Sequence, residues 1–350
     1  MSDALISPTT GATMWIISAL CIAYASKKVK EESTDKLVPL MGILGAFIFA
    51  AQMINFSIPM TGSSGHLGGG IILAVLLGPW AGLIAMASIL AIQALFFADG
   101  GLLAYGCNLF NMGFIPCFIA YPFIYKFFNN DNSSPSRQRI LWGSFSASII
   151  GLQLGAFAVV LETYFSGISD LPLDRFAMLM QPIHLAIGVV EGMATAALIL
   201  FIYRMQPSLL QSPQGDLTTL VSSTKNTTAT NSNSSRVVLA ILAILSLATG
   251  GILSWYASDN PDGLEWSTAR TAQKEELQTP SAPIYQSMDH LQKQTALLPD
   301  YTLKTGTHTD TQTKVATSLS GILGATSVLL LIMTLAWLLR KKRPVSKIST

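Results

Sequence analysis

The sharpest chemical feature of this sequence is one imidazole set among glycines and small hydroxyl residues, in Asn55-Phe56-Ser57-Ile58-Pro59-Met60-Thr61-Gly62-Ser63-Ser64-Gly65-His66-Leu67-Gly68-Gly69-Gly70. Glycine lets backbone approach closely and adopts positive φ without strain. Neutral imidazole is a common ligand for nickel, cobalt, copper and zinc. His66 therefore reads as a candidate metal ligand, or as a helix-start histidine bonded to a nearby carbonyl. His184 lies in Gln181-Pro182-Ile183-His184, and Glu191 follows two turns later on the same helical face. That pair is either a second polar site or a bonded pair that locks helix packing. Gln93, Asp99, Asn108 and Asn111 flank the turn Asp99-Gly100-Gly101. They either bond around a site or satisfy one another and the turn. Cys21, Cys107 and Cys117 fall inside apolar blocks without metal-site spacing, and read as packing residues.

No Gly-Lys-Ser/Thr phosphate loop, HExxH, paired-cysteine motif or Ser-His-Asp arrangement stands out. An enzyme is the weaker class, no resident cofactor is expected, and an energised transporter would need its ATPase from another chain. The net charge of +2 gives no footprint for nucleic acid.

These residues need a membrane to position them. Of the 350 residues, 50% are hydrophobic and 11% charged, against about 25% charged in a soluble domain. Leu37 to Phe97 contains no Lys, Arg, Asp or Glu. A spanning helix needs only about 20 apolar residues. Windows of that length predict spans at 11–26, 37–57, 68–79, 80–97, 102–127, 138–163, 179–204, 236–256 and 317–339. The span 68–79 is short, joined to the next at Gly78-Pro79-Trp80, and reads as a short or a re-entrant helix buried against neighbours, with 68–97 counted as two passes. Lys27, Lys28, Lys30 and Lys36, then Lys126, Arg137 and Arg139, then Arg204, then Arg340-Lys341-Lys342-Arg343 all fall on one side, which the positive-inside rule makes cytoplasmic. The N-terminus and the stretches 57–67, 98–101, 162–178 and 257–316 are then outside. Met1–Thr10 has no basic region ahead of an apolar stretch, so no cleaved signal is expected.

The fold class is thus an all-α polytopic membrane protein in two modules. Residues 1–204 form a seven-span module and 236–350 a two-span module. The Ser/Thr/Asn-rich stretch 205–235 reads as a flexible cytoplasmic linker. The stretch 257–316 is polar yet contains Trp266, Tyr285 and Tyr301, so an external domain and partial disorder both stay open; His290 and His308 within it read as solvated.

Met1–Arg204 resembles the CbiM/NikM family, the substrate-binding membrane subunits of energy-coupling-factor transporters for cobalt and nickel. The matching segments are Asp3-Ala4-Leu5-Ile6-Ser7-Pro8, Gly62-Ser63-Ser64-Gly65-His66-Leu67-Gly68-Gly69, Leu77-Gly78-Pro79-Trp80, Gln93 through Gly101, Asn108-Leu109-Phe110-Asn111-Met112-Gly113 and His184 through Gly192. Asp259-Asn260-Pro261-Asp262-Gly263-Leu264-Glu265-Trp266 resembles the PDGLE motif of the small subunit that accompanies this family. The resemblance implies metal ligation by the terminal amine, by the amide and imidazole of a histidine at position two, and by the loop histidine, here His66. Four nitrogens suit Ni²⁺ and Cu²⁺. The metal residues implied are Met1, Ser2 and His66, with Ser64, Gln93, Asp99 and Asn108 behind them. Position two departs from the pattern, being Ser2. Either a Met-His start lies upstream, or ligation uses Met1, His66 and another group such as Asp3. Implied partners are an energy-coupling transmembrane subunit (CbiQ/NikQ-like) and ATPase subunits (CbiO/NikO-like). A non-transporting membrane scaffold and a vitamin-binding subunit are the rival expectations.

Overall fold

The computed structural model describes residues 1–32, 37–129, 136–207, 210, 231–274, 277–303 and 310–339. His308, Lys36, the cluster Arg340–Arg343 and most of the stretch 205–235 lie outside the described residues. The expected helical membrane fold is present. Its long helices are α1 (Pro8–Glu32), α2 (Leu37–Gln52), α4 (Pro79–Phe97), α5 (Tyr105–Phe128), α6 (Arg137–Ser166), α7 (Leu173–Met205), α8 (Asn231–Gly251) and α11 (Asp310–Leu339). Six of them are long and apolar enough to cross a membrane. The apolar parts of α2 and α8 are shorter.

The short predicted span is α3 (Gly70–Leu77), and every residue of it is buried. At about 1.5 Å per residue its eight residues rise roughly 12 Å, too little for a hydrocarbon core of about 30 Å. Gly78 turns the chain with φ 80°, Pro79 starts α4, and Gly82 faces the backbone of Leu73 and Ala74 across the hairpin. A half-length helix is tolerated because it meets protein on all sides.

The segment predicted as the end of the second span is no helix. Phe56–Ile58 (β1) and Ser63–Gly65 (β2) pair antiparallel, with Phe56 opposite Gly65. The connection uses positive φ at Met60 and Gly62. A hairpin here returns His66 toward the bundle instead of leaving it at the surface.

From Phe110 to Tyr125, α5 winds with the wider i→i+5 pattern and includes Pro116 and Pro122. Such windings concentrate at functional sites, and this one supplies Asn111, Met112 and Pro116 to the cavity described below. Helices α6 and α7 lie antiparallel, with Gly188 against Ile149 and Gly192 against Phe145.

The second pair of long helices, α8 and α11, packs on α2. Gly42 faces Leu329 and Met333, Gly45 faces Ile332, and Phe49 fills the space over Gly324. The backbones of Gly250 and Gly321 touch where α8 crosses α11. Small residues at such crossings let helices pack closely in lipid, where no hydrophobic force separates protein from solvent. Between α8 and α11 run α9 (Gly263–Ala272) and α10 (Pro283–Thr295). The sequence Asp262-Gly263-Leu264-Glu265 folds as a capping box: Asp262 accepts from the Glu265 N–H at 2.8 Å and Glu265 accepts from the Asp262 N–H at 3.1 Å. The described part of 257–316 packs on residues of the first seven helices. Leu297 N–H donates to Phe96 O at 2.8 Å, Tyr285 Oη to Ile6 O at 2.9 Å, and Gln292 Nε2 to Gly100 O at 2.8 Å.

Candidate metal site

The chain start is drawn into the bundle. Leu5 and Ile6 are buried beside Leu103, Ala104 and Phe176. Met1 O accepts from the Gly101 N–H at 3.0 Å and from Asn108 Nδ2 at 3.2 Å. Asp3 Oδ1 accepts from the Ala104 N–H at 2.9 Å. Burial pushes the Asp3 carboxyl above its ordinary value, while the backbone donors of Ala104 and Leu103 pull the other way. A Cβ on residue 101 would run into that carboxyl, so glycine is required there for close approach. Asp3 is thus committed to the backbone of residues 103–104. The alternative that enlisted it as a metal ligand is not supported by this geometry.

Met1 lines a cavity of about 140 Å³ together with His66, Asn108, Asn111, His184 and Glu191. His66 reaches the cavity on the glycine stretch after β2. Its Nδ1 lies 3.2 Å from Leu67 O. A carbonyl only accepts, so in a neutral imidazole this contact calls for the tautomer with the proton on Nδ1 and Nε2 open as a ligand atom. Two glutamines hold the stretch: Gln52 Nε2 donates to Gly68 O at 2.9 Å, and Gln93 Nε2 donates to Gln52 Oε1 at 2.8 Å.

His184 and Glu191 line the same cavity but are not bonded to each other, which corrects the expectation of a locking pair. His184 Nδ1 donates to Met180 O, one turn back, at 2.8 Å, leaving its Nε2 free. Glu191 Oε1 accepts from the Gly69 N–H at 3.0 Å. Asn111 Nδ2 donates to Glu162 Oε2 at 2.8 Å.

Of the sequence-derived candidates, Met1, His66 and Asn108 converge on the cavity, with Asn111. The other four do not line it. Ser2 is exposed at the start of the first turn. Ser64 Oγ donates to Asn260 O at 2.8 Å. Gln93 acts at one remove, through Gln52. Asp99 accepts from the Tyr301 hydroxyl, whose ring stacks on Phe97. The burial of Tyr301 and the nearby Asp99 carboxylate raise that phenol well above its ordinary value.

Asp262, Gly263 and Leu264 of the second module close one end of the cavity. A Cβ on residue 263 would sit 3.1 Å from His184 Cε1 and 2.9 Å from Ile187 Cδ1, so only glycine lies flat there. Ser64 N–H donates to Pro261 O at 2.8 Å, and Trp266 Nε1 to Thr61 O at 3.0 Å. The sequence reading missed Asp262 as a wall of the site and Gln52 as its support. The motif around Asp262 was the available signal for the first; Gln52 had none.

Among the described residues no three His, Cys, Asp or Glu side chains are placed to hold one ion together.

Residues 1–209 match the family described as "Cobalt uptake substrate-specific transmembrane region", and residues 236–341 match the PDGLE domain. A relative from Lactiplantibacillus plantarum, named "Probable fused nickel transport protein LarMN", is 29% identical over 312 residues, covering 86% of this chain and 88% of that protein. The fused nickel transport protein NikMN of Rhodobacter capsulatus is 32% identical over 59% of this chain and 62% of its own length. A crystal structure described as a truncated transition metal transporter is 31% identical, covers 58% of this chain and 98% of that one, and aligns with a TM-score of 0.51.

Proposed function

We propose, from the premise that this chain belongs to the family of cobalt-uptake substrate-specific transmembrane proteins, that it is the membrane component which captures Ni²⁺ or Co²⁺ for an energy-coupling-factor transporter. The observation that carries this is the meeting of the chain start with the loop imidazole: Met1 and His66, far apart in sequence, line one cavity. A terminal amine and an imidazole are borderline ligands suited to nickel and cobalt rather than to magnesium or calcium. The ion is cargo, held by His66 Nε2 and by nitrogen from the chain start, with Asn108 fixing the Met1 backbone. The chain catalyses no reaction in this reading. A separate energy-coupling membrane subunit and ATPase subunits drive inward movement, with the N-terminus and the cavity mouth outside the cell.

The second module covers the cavity mouth and assists loading of the ion. The fused relatives named as nickel transport proteins support keeping both modules in one working unit.

Metal-binding calorimetry on full-length protein with a verified N-terminus tests the reading. Wild type should bind Ni²⁺ or Co²⁺ tightly, and His66→Ala should lose about a hundredfold or more in affinity. Equal binding by the two proteins would return the chain to the scaffold or vitamin-carrier alternatives.

A further inference from the structure

Glu162 sits one turn beyond Val159, the last residue of α6 to line the cavity, and does not line it itself. It is 8% exposed. Oε2 accepts from Asn111 Nδ2 at 2.8 Å, while Oε1 has no hydrogen-bond partner. No ion pair to Glu162 is present among the described residues. The Cys107 thiol lies beside the carboxyl, and the cation that acts on it through space is the Met1 terminal amine. Asp3, the acid nearest the chain start, is compensated by the backbone donors of residues 103 and 104. Glu162 has no such set of donors. Buried acids without a matching charge are rare in membrane proteins and point to function.

The bond to Asn111 has a directional consequence. An ionised carboxylate only accepts, so the amide must turn its nitrogen toward Glu162. Asn111 lines the cavity, and its Oδ1 is buried without a hydrogen-bond partner. The amide oxygen is thus the end turned away from Glu162 and left for the cavity. A hydroxyl or a carbonyl would hold that nitrogen too, so the bond alone does not account for an acid. What the acid adds is charge. The ligands read for the ion, an imidazole and a terminal amine, are both neutral when they bind. They leave the charge of a dication uncompensated where water is largely excluded, and there a nearby anion acts strongly.

We propose that Glu162 is a positioning residue of the metal site, which acts through Asn111 and supplies the negative charge that a dication held by neutral nitrogens lacks. This rests on the reading of the cavity as a nickel or cobalt site. Glu162 does not touch the ion. It sets the Asn111 amide with its oxygen toward the cavity, and its own carboxylate lies one side chain behind the wall. Groups that stand behind metal ligands in this way raise affinity without changing which atoms bind.

The test is equilibrium Ni²⁺ binding by the full chain with a verified N-terminus, read beside the visible absorption bands of the bound ion. Glu162→Gln keeps an acceptor for Asn111 and removes the charge. Affinity should fall at least tenfold, while the bands keep their positions because the ligating atoms are the same. Affinity within about threefold of wild type overturns the proposal. So does a loss accompanied by shifted bands, which would give Glu162 a merely structural part in holding the ligands. Should that variant not fold, Glu162→Asp decides the question. With the charge kept, its affinity should stay within about threefold of wild type, and a tenfold loss overturns the proposal. Wild-type protein that binds neither nickel nor cobalt would overturn the reading of the cavity together with it, whereas the other outcomes touch Glu162 alone.

Discussion

The backbone N–H of Ser64 donates to the carbonyl oxygen of Pro261 at 2.8 Å, joining the strand that leads into His66 to the motif that leads into α9. Ser64 Oγ adds a bond to Asn260 O. The ligand-bearing hairpin is thus held by the other module as well as by its own, which gives the second module a direct mechanical link to the site.

Removing only the hydroxyl should loosen that link without breaking it. Ser64→Ala is expected to cost about 1 kcal/mol, the ordinary worth of a hydrogen bond. Limited proteolysis between the modules should be faster, and a rate equal to wild type would show that the backbone bond suffices.

Deleting residues 236–350 removes every such contact. Uptake should fall while residues 1–204 stay folded, since the buried residues clustered around Tyr121 all belong to that part. Uptake measurements beside size-exclusion profiles check both halves. Undiminished uptake would count against a role in loading.

Gly101→Ala addresses the chain start. The new methyl would meet the Asp3 carboxyl and push the first residues away from Gly101 and Asn108. Because misplacing a ligand by about 1 Å weakens a site severely, metal affinity should drop tenfold or more with little change in span packing. Calorimetry reads the first, and an unchanged apparent Tm the second. Gly251→Ala, where an added Cβ would meet nothing within 4 Å, serves as the control.

Glu265 gives a pH dependence. The adjacent Asp262 carboxylate, and then burial, raise its carboxyl above the ordinary 4.5. The folded state therefore binds its proton at higher pH than the unfolded state does. Stability falls as pH rises through that window and is regained as pH drops. Glu265→Gln keeps an oxygen for the Asp262 N–H and removes the charge. Its apparent Tm should meet or exceed that of wild type near neutral pH, the difference closing toward acid. A gap that widens on acidification would contradict the assignment.

Long stretches without charge, such as Leu37–Phe97, determined the helical membrane fold from sequence alone, because lipid admits little else for a backbone that must satisfy its own polar groups. The Gly78-Pro79 break was likewise legible, since proline and positive-φ glycine act within their own turn of chain. Local chemistry also marked His66, and the family resemblance marked the segment Asp259–Trp266, whose capping box only the structure shows. Tertiary structure alone decided what these residues share. Whether Met1 meets His66, whether His184 bonds Glu191, and whether Pro261 lies on Ser64 depend on helices distant in sequence packing side by side. The two-residue periodicity that reveals a strand has no room to register in three-residue strands, so the hairpin was read as the end of a span followed by a loop. A carboxyl oxygen left without a partner is a property of its surroundings in space, and no pattern of residue types along the chain records it.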